Sequence, residues 1–143
     1  MRSKLVDEHD GLRTFALAFA KGDELPQTLE RFAVDESVER ASFEAIGAFD
    51  GVTLGYFDWE RKEYKRIPLE EQVEVLSLVG NITRTEGEPA VHTHVVVGRS
   101  DATARGGHLL AGRVRPTLEL FLTETPAELS KQEDPETGLA LLL

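Results

Sequence analysis

Apolar positions change their spacing along the chain, and the changes mark out the elements. RTFALAFAK, Arg13–Lys21, is a phenylalanine-rich run bounded by Gly11 and Gly22, and it reads as a buried strand. Asp23 follows as a helix N-cap, with acids in the first turn to suit the helix dipole. Leu25, Leu29 and Phe32 then recur at helical spacing, which predicts a helix from about Glu24 to Val34, with Pro26 tolerated in its first turn.

Beyond the helix the period becomes two. SFEAIGAF (Ser42–Phe49) and VTLGYFDW (Val52–Trp59) flank Asp50-Gly51, a strong hairpin signal. EYKRIPLE extends the meander, with Pro68 marking an edge or an interruption. In QVEVLSLVGNI (Gln72–Ile82) both alternating sets are largely apolar, which predicts a central strand covered on both faces. EGEP (Glu86–Pro89) reads as a turn, AVHTHVVVG as a strand, SDATARGG as a loop and TLELFLTE (Thr117–Glu124) as a late strand. SKQEDPETG reads as a solvated loop before LALLL, a last strand or interface segment. Strands in succession with one early helix define an α+β class, a mostly antiparallel sheet with one main helix packed on it. Residues 1–143 form one expected domain, and so many strands ask for strong curvature or for burial in an oligomer.

Composition narrows the chemistry. The chain has no cysteine, so disulfides and thiolate–metal sites are excluded and histidines and carboxylates are the strong metal ligands that remain. Nothing in MRSKLVDEHDG resembles a secretory h-region, and the longest apolar run is far below the ~20 residues of a membrane span, so no membrane partner and a cytoplasmic location are expected. A net charge of −10 works against nucleic acid, whose binding draws on clustered basic side chains. From Pro89 to Leu118, however, Arg99, Arg105, Arg113 and Arg115 face the single Asp101, a local balance of +3. That basic island suits a small anionic ligand better than a long polyanion.

Three of the four histidines fall in the same stretch, VHTHVVVGRSDATARGGHLLAG. On a strand, His92 and His94 project to one face while Val91, Thr93, Val95 and Val97 take the other. His108 follows after a loop in which Gly106-Gly107 permits positive φ, and that loop is long enough to return the chain beside the strand. Three neutral imidazoles at roughly 2.0–2.1 Å would hold a divalent ion, most simply zinc, and leave one position open. A pair of histidines two apart on a strand also commonly caps a half-buried sheet face. Arg99 and Arg105 flank the loop, either as a clamp for a carboxylate or phosphate or as ordinary exposed side chains. Asp101 is either an acceptor that orients a histidine or a turn residue. Arg61, Lys62, Lys65 and Arg66, interleaved with Glu60 and Glu63, read as a solvated hairpin face, and Tyr56 and Trp59 as core or interface.

VEVLSLVGNI, PAVHTHVVVG and GGHLLAGRVRPTLELFL together resemble the PPC domain (plant and prokaryote conserved), and IGAFDGVTLGYFD and the preceding helix extend the resemblance over nearly the whole chain. The resemblance implies a compact antiparallel unit assembled as a homotrimer. It places Glu119, within TLELFL, where the family usually has a glutamate, so that this residue becomes a candidate catalytic proton carrier, ligand or buried ion-pair partner. It also carries a DNA-binding label that belongs, in plant members, to a separate AT-hook. GRVRP (Gly112–Pro116) departs from the R-G-R-P core and lies between predicted strands, so it does not count as one. The expectation is a homotrimer with a His92/His94/His108 zinc site that binds a small anion, with metal-assisted hydrolysis or lyase chemistry if it is an enzyme. The alternatives are a DNA-associated regulatory module and a structural trimer that recruits partners.

Overall fold

The computed structural model describes residues 1–85, 87–126 and 131–142. Its strands are β1 (Arg2–His9), β2 (Leu12–Ala20), β3 (Glu24–Leu25), β4 (Ala41–Asp58), β5 (Glu63–Leu69), β6 (Val73–Thr85), β7 (Glu88–Gly98), β8 (Ala104–Glu124), β9 (Lys131–Glu133) and β10 (Ala140–Leu142), with the helix α1 at Gln27–Asp35. Every pairing is antiparallel. The ladder closes on itself: β8 pairs β4, β4 pairs β6, β6 pairs β7, and β7 returns to β8. Closure supplies the curvature that so many strands require. The α+β class and the single short helix follow the sequence expectation.

Alternation along the strands fills the inside. Val73, Val75, Leu78 and Ile82 from β6, Val95 and Val97 from β7, and Leu118, Leu120 and Leu122 from β8 are buried together. Helix α1 adds Leu29, Phe32 and Ala33, and the Phe32 ring meets Phe15 of β2 edge-on at 5.3 Å between centroids. Among the described residues, no helix is long and apolar enough to cross a membrane.

Several local expectations fail for identifiable reasons. Asp50-Gly51 makes no hairpin. Strand β4 runs straight through it and exchanges its partner from β6 to β5, while the register against β8 shifts between Phe49 and Gly51. Asp50 accepts a 2.6 Å hydrogen bond from Arg113 Nε. The reversal comes instead after Asp58, whose carboxylate accepts the N–H groups of Glu60 and Arg61, with Lys62 at φ 54°. The helix starts at Gln27 because Glu24 and Leu25 pair with Arg113 and Gly112 as β3. Asp23 therefore caps no helix; it accepts the Ala20 N–H and pairs with the terminal ammonium.

Strand β1 lacks any apolar run and is exposed throughout, an edge blunted by charge. The tail after Pro126 is not wholly loop, since β9 and β10 pair as a hairpin; Ser130 and Leu143 of the expected loop and last strand lie outside the described residues. Glu86 of the expected turn does too, and Gly87 there has φ 91°. Tyr56 and Trp59 are exposed rather than core. Strand β6 is buried on one face only, leaving Leu76 and Val79 in the open.

Close approach of backbones explains Gly80, where a Cβ would lie 2.3 Å from the His92 carbonyl oxygen and 2.5 Å from the Phe43 ring. Neither neighbour can yield without moving a strand. Gly80→Ala is expected to destabilise the fold by about 2 kcal/mol or more, read as a lower urea midpoint at unchanged slope.

Candidate metal centre

The site is built on the β7–β8 hairpin. Its loop, Arg99–Thr103, is short: Arg99 N–H donates to the Thr103 carbonyl at 2.9 Å. Asp101 accepts from both the N–H and the hydroxyl of Thr103, at 3.0 and 2.6 Å. This settles Asp101 as a turn residue, since its carboxylate is spent inside the loop. Gly106 and Gly107 are not part of that loop, and neither has positive φ; both are in β8. Their value is proximity. A Cβ on Gly107 would stand 2.7 Å from the Gly55 carbonyl oxygen, and one on Gly106 would stand 3.1 Å from that of Val95.

The resulting register sets His94 directly opposite His108. His92 lies two residues along the same face, and Val91, Thr93, Val95 and Val97 point inward as the alternation predicts. Ring centroids are separated by 5.3 Å (His92–His94), 5.3 Å (His92–His108) and 5.6 Å (His94–His108). One nitrogen from each ring lies within 4.8 Å of the others. Zinc–nitrogen bonds of ~2.0–2.1 Å with tetrahedral angles would need ligand nitrogens roughly 3.4 Å apart.

The electrostatics favour neutral rings. Burial, followed by the charges of His92, His94 and Lys131, lowers the His108 pKa from 6.5 to about 4. Burial, Lys131 and His94 lower that of His92. A neutral imidazole is the form that ligates a metal. His108 Nδ1 is buried without a hydrogen-bond partner among the described residues, an acceptor or donor left without its usual satisfaction. An orphaned buried nitrogen beside two further imidazoles fits a divalent ion.

Surrounding residues were not evident from the sequence. Tyr64 lies over His108 with centroids 4.8 Å apart. Gly55, the β4 partner of His108, makes the room, because a Cβ there would meet Tyr64 Cδ1 at 2.9 Å. Asn81 is the cross-strand partner of His92, and its buried Oδ1 has no hydrogen-bond partner among the described residues. Lys131, on β9, is half-buried, and burial lowers its pKa. No spacing along the chain announces these three, because pairing register and the return of the tail bring them in.

The other candidates lie elsewhere. Arg99 is committed to Glu71 at 2.7 Å and to Asp101 at 3.7 Å. Arg105 pairs with Val97, three positions before His108, which puts its side chain on the opposite face of β8. Neither forms a clamp over the triad. Glu119 is exposed between Ala18 and Ile46. The ladder from His94 runs through Val79 and Glu44 to Phe121, so Glu119 lies about three strand spacings away, roughly 14 Å. Within one chain it does not touch the histidines.

The chain matches the Plants and Prokaryotes Conserved (PCC) domain over residues 6–126 and belongs to that family. A plant- and prokaryote-conserved protein of Pyrococcus horikoshii is 38% identical and superposes with a TM-score of 0.86 over 90% of each chain. A metal-containing protein of Archaeoglobus fulgidus is 32% identical, with a TM-score of 0.85 over 99% of this chain and 96% of that one. A Bacteroides thetaiotaomicron protein whose assignment as DNA-binding is provisional is 26% identical, with a TM-score of 0.85 over 95% of this chain and 94% of the other. Among curated proteins, the bifunctional protein GlmU of Synechococcus is 33% identical over 131 residues, 89% of this chain. The chain spans about a fifth of that protein's length, 20%.

The lowered histidine pKa has a consequence for the metal-free protein. The unfolded chain takes up a proton on residue 108 near pH 6.5, whereas the folded chain resists until about pH 4. The unfolded state therefore binds more protons between those values, and stability falls as pH drops through that window. After allowance for partial exposure the expected loss is about 1 kcal/mol. Urea unfolding near pH 7 and pH 5 measures it, and His108→Asn should reduce the difference.

Proposed function

We propose that this protein is a homotrimer whose His92, His94 and His108 hold one zinc ion per chain and bind a small anionic ligand there. The observation that carries the reading is the convergence of three imidazoles, two of them held toward neutrality, around an orphaned buried Nδ1. Three nitrogen donors with no cysteine or carboxylate in the set suit zinc in an open, ligand-accepting geometry. A zinc ion there supplies Lewis-acid polarisation of a carbonyl or phosphoryl oxygen, which fits metal-assisted hydrolysis or lyase chemistry. The chain's own contribution is to hold His92 and His108 toward the neutral form, fix the spacing of the three rings through the strand register, and cover His108 with Tyr64. The A. fulgidus relative's description as metal-containing supports the same reading.

The trimer is supported by what the closed sheet leaves outside. Ile46, Leu76, Val79, Val96 and Phe121 are each more than 40% exposed. Ile46, Leu76, Val79 and Phe121 line one depression with Glu119. A large apolar surface of that kind calls for a covering partner, and a copy of the same chain is the simplest one. Glu119 belongs to that face, so any proton-transfer role for it would be exerted on a neighbouring copy's site.

Elemental analysis of untagged protein should give about one zinc per chain, and His92→Ala/His94→Ala or His94→Ala/His108→Ala should lose it almost entirely. Native protein that is metal-free and declines added zinc would overturn the reading and leave a structural trimer.

A DNA-associated module, the reading that the B. thetaiotaomicron relative favours, requires a continuous positive face. Arg113 is instead paired with Asp50, Arg99 with Glu71, and Arg84 with Glu39. Duplex DNA at about 50 mM salt, where electrostatic attraction is strong, is expected to show no retention in a gel-shift or anisotropy titration.

A further inference from the structure

Strand β1 is held on one side only. Among the described residues it pairs with β2 alone, so its other edge presents unpaired N–H and C=O groups, and all eight of its residues are exposed. We infer that this edge is an interaction surface for a second copy of the chain, which joins it antiparallel about a two-fold axis between Leu5 and Val6.

The charges along β1 favour its own copy over other strands. Arg2 and Lys4 occupy its first half and Asp7 and Glu8 its second, with Leu5 and Val6, each 45% exposed, between them. Among the described residues none of these four charges makes an ion pair. Turned end for end, the strand sets its basic half against the acidic half of its copy. The charges that blunt this edge toward other strands therefore attract it to itself.

The bulge in β1 fixes the register. Residues directly opposite one another in an antiparallel pair share a face. A regular strand would put Lys4 and Asp7, three positions apart, on opposite faces. Here the ladder against β2 slips by one residue between Leu5 and Asp7, so that Lys4 stands opposite Ala16 and Asp7 opposite Thr14. Ala16 and Thr14 are two apart on β2, so Lys4 and Asp7 both lie on the face away from the buried Phe15. Pairing about the axis then sets Lys4 against the second copy's Asp7, Ser3 against its Glu8 and Leu5 against its Val6, each twice by symmetry. Arg2 meets the second copy's His9, a residue whose ring has Asp10 at 3.3 Å within its own chain. The contact is self-complementary and closed, and it uses the rim of the sheet rather than the apolar face assigned to the trimer. With that face also covered, trimers joined in pairs give six chains; without it, two chains result.

An edge of eight residues is a small interface, so the pairing is expected in the micromolar range. Light scattering and sedimentation over a dilution series of the full chain measure it. At ~0.1 mM chain in ~50 mM salt the parent should hold an even number of chains. Lys4→Glu and Asp7→Lys each turn two attractions into two repulsions and should raise the dissociation constant of the pairing about tenfold or more. The combined Lys4→Glu/Asp7→Lys exchange should return it to within about threefold of the parent, since the same pairs form again with their signs reversed. A parent of one or three chains under these conditions overturns the pairing. Single reversals that assemble as the parent does, or a combined variant as weak as the single ones, overturn the register and the proposal with it.

Discussion

In an antiparallel ladder, residues directly opposite one another share a face, and a slip of one position sends a side chain to the other side. The pairing of His94 with His108 is the register on which everything at this site depends. Moved by a single residue, Gly107 would meet His94, His108 would turn inward opposite Thr93, and Leu109 would leave the core. Two things hold the register. The loop from Arg99 to Thr103 is short and closed by its own hydrogen bonds, and the glycines of β8 fit only where the neighbouring backbones come closest. The three histidines thus lie on a rigid hairpin rather than on a loop, which suits a site that must keep three donors within a fraction of an ångström.

The triad was readable from the chain because strand alternation has a fixed period. His92 and His94 had to share a face whatever the fold around them, and the burial of Val91, Thr93, Val95 and Val97 follows from the same rule. How His108 arrives is a different matter. A glycine pair reads equally as a flexible turn or as a close contact between strands, and only the partner strand decides; here Gly55 and Val95 decide for contact. Asp50-Gly51 misleads in the same way, since a bulge in a long strand and a two-residue hairpin use the same residues. Tyr64, Asn81 and Lys131 were out of reach because each is brought in by pairing or packing that is remote in sequence. Arg99 shows the converse: its place beside the histidines in the chain says nothing of Glu71, 28 positions earlier, which holds it.

The charges show why the basic island of this acidic chain forms no coherent positive patch. Two of the four arginines of the basic island find a carboxylate close by: Arg113 takes Asp50, and Arg99 takes Glu71 and Asp101. These pairs keep part of their surface in water, so each adds little to stability. Their larger effect is to remove the island as a coherent field, which is why a count of arginines overstated it.

The outward face completes the argument. The closed sheet satisfies its core with inward residues, so the exposed Ile46, Leu76, Val79, Val96 and Phe121 are surplus to the fold of one chain. The apolar row leads directly to the site, since Val79 is the ladder partner of His94. A copy of the chain seated on that face would exclude water from one flank of the histidines and bring its acidic rim, Glu44 and Glu119, toward them. Strand β6, apolar on both alternating sets, would then be covered on both faces, as its sequence demands and as one chain alone does not achieve. The same residues that make β6 look central would therefore link such an assembly to the environment of the three histidines.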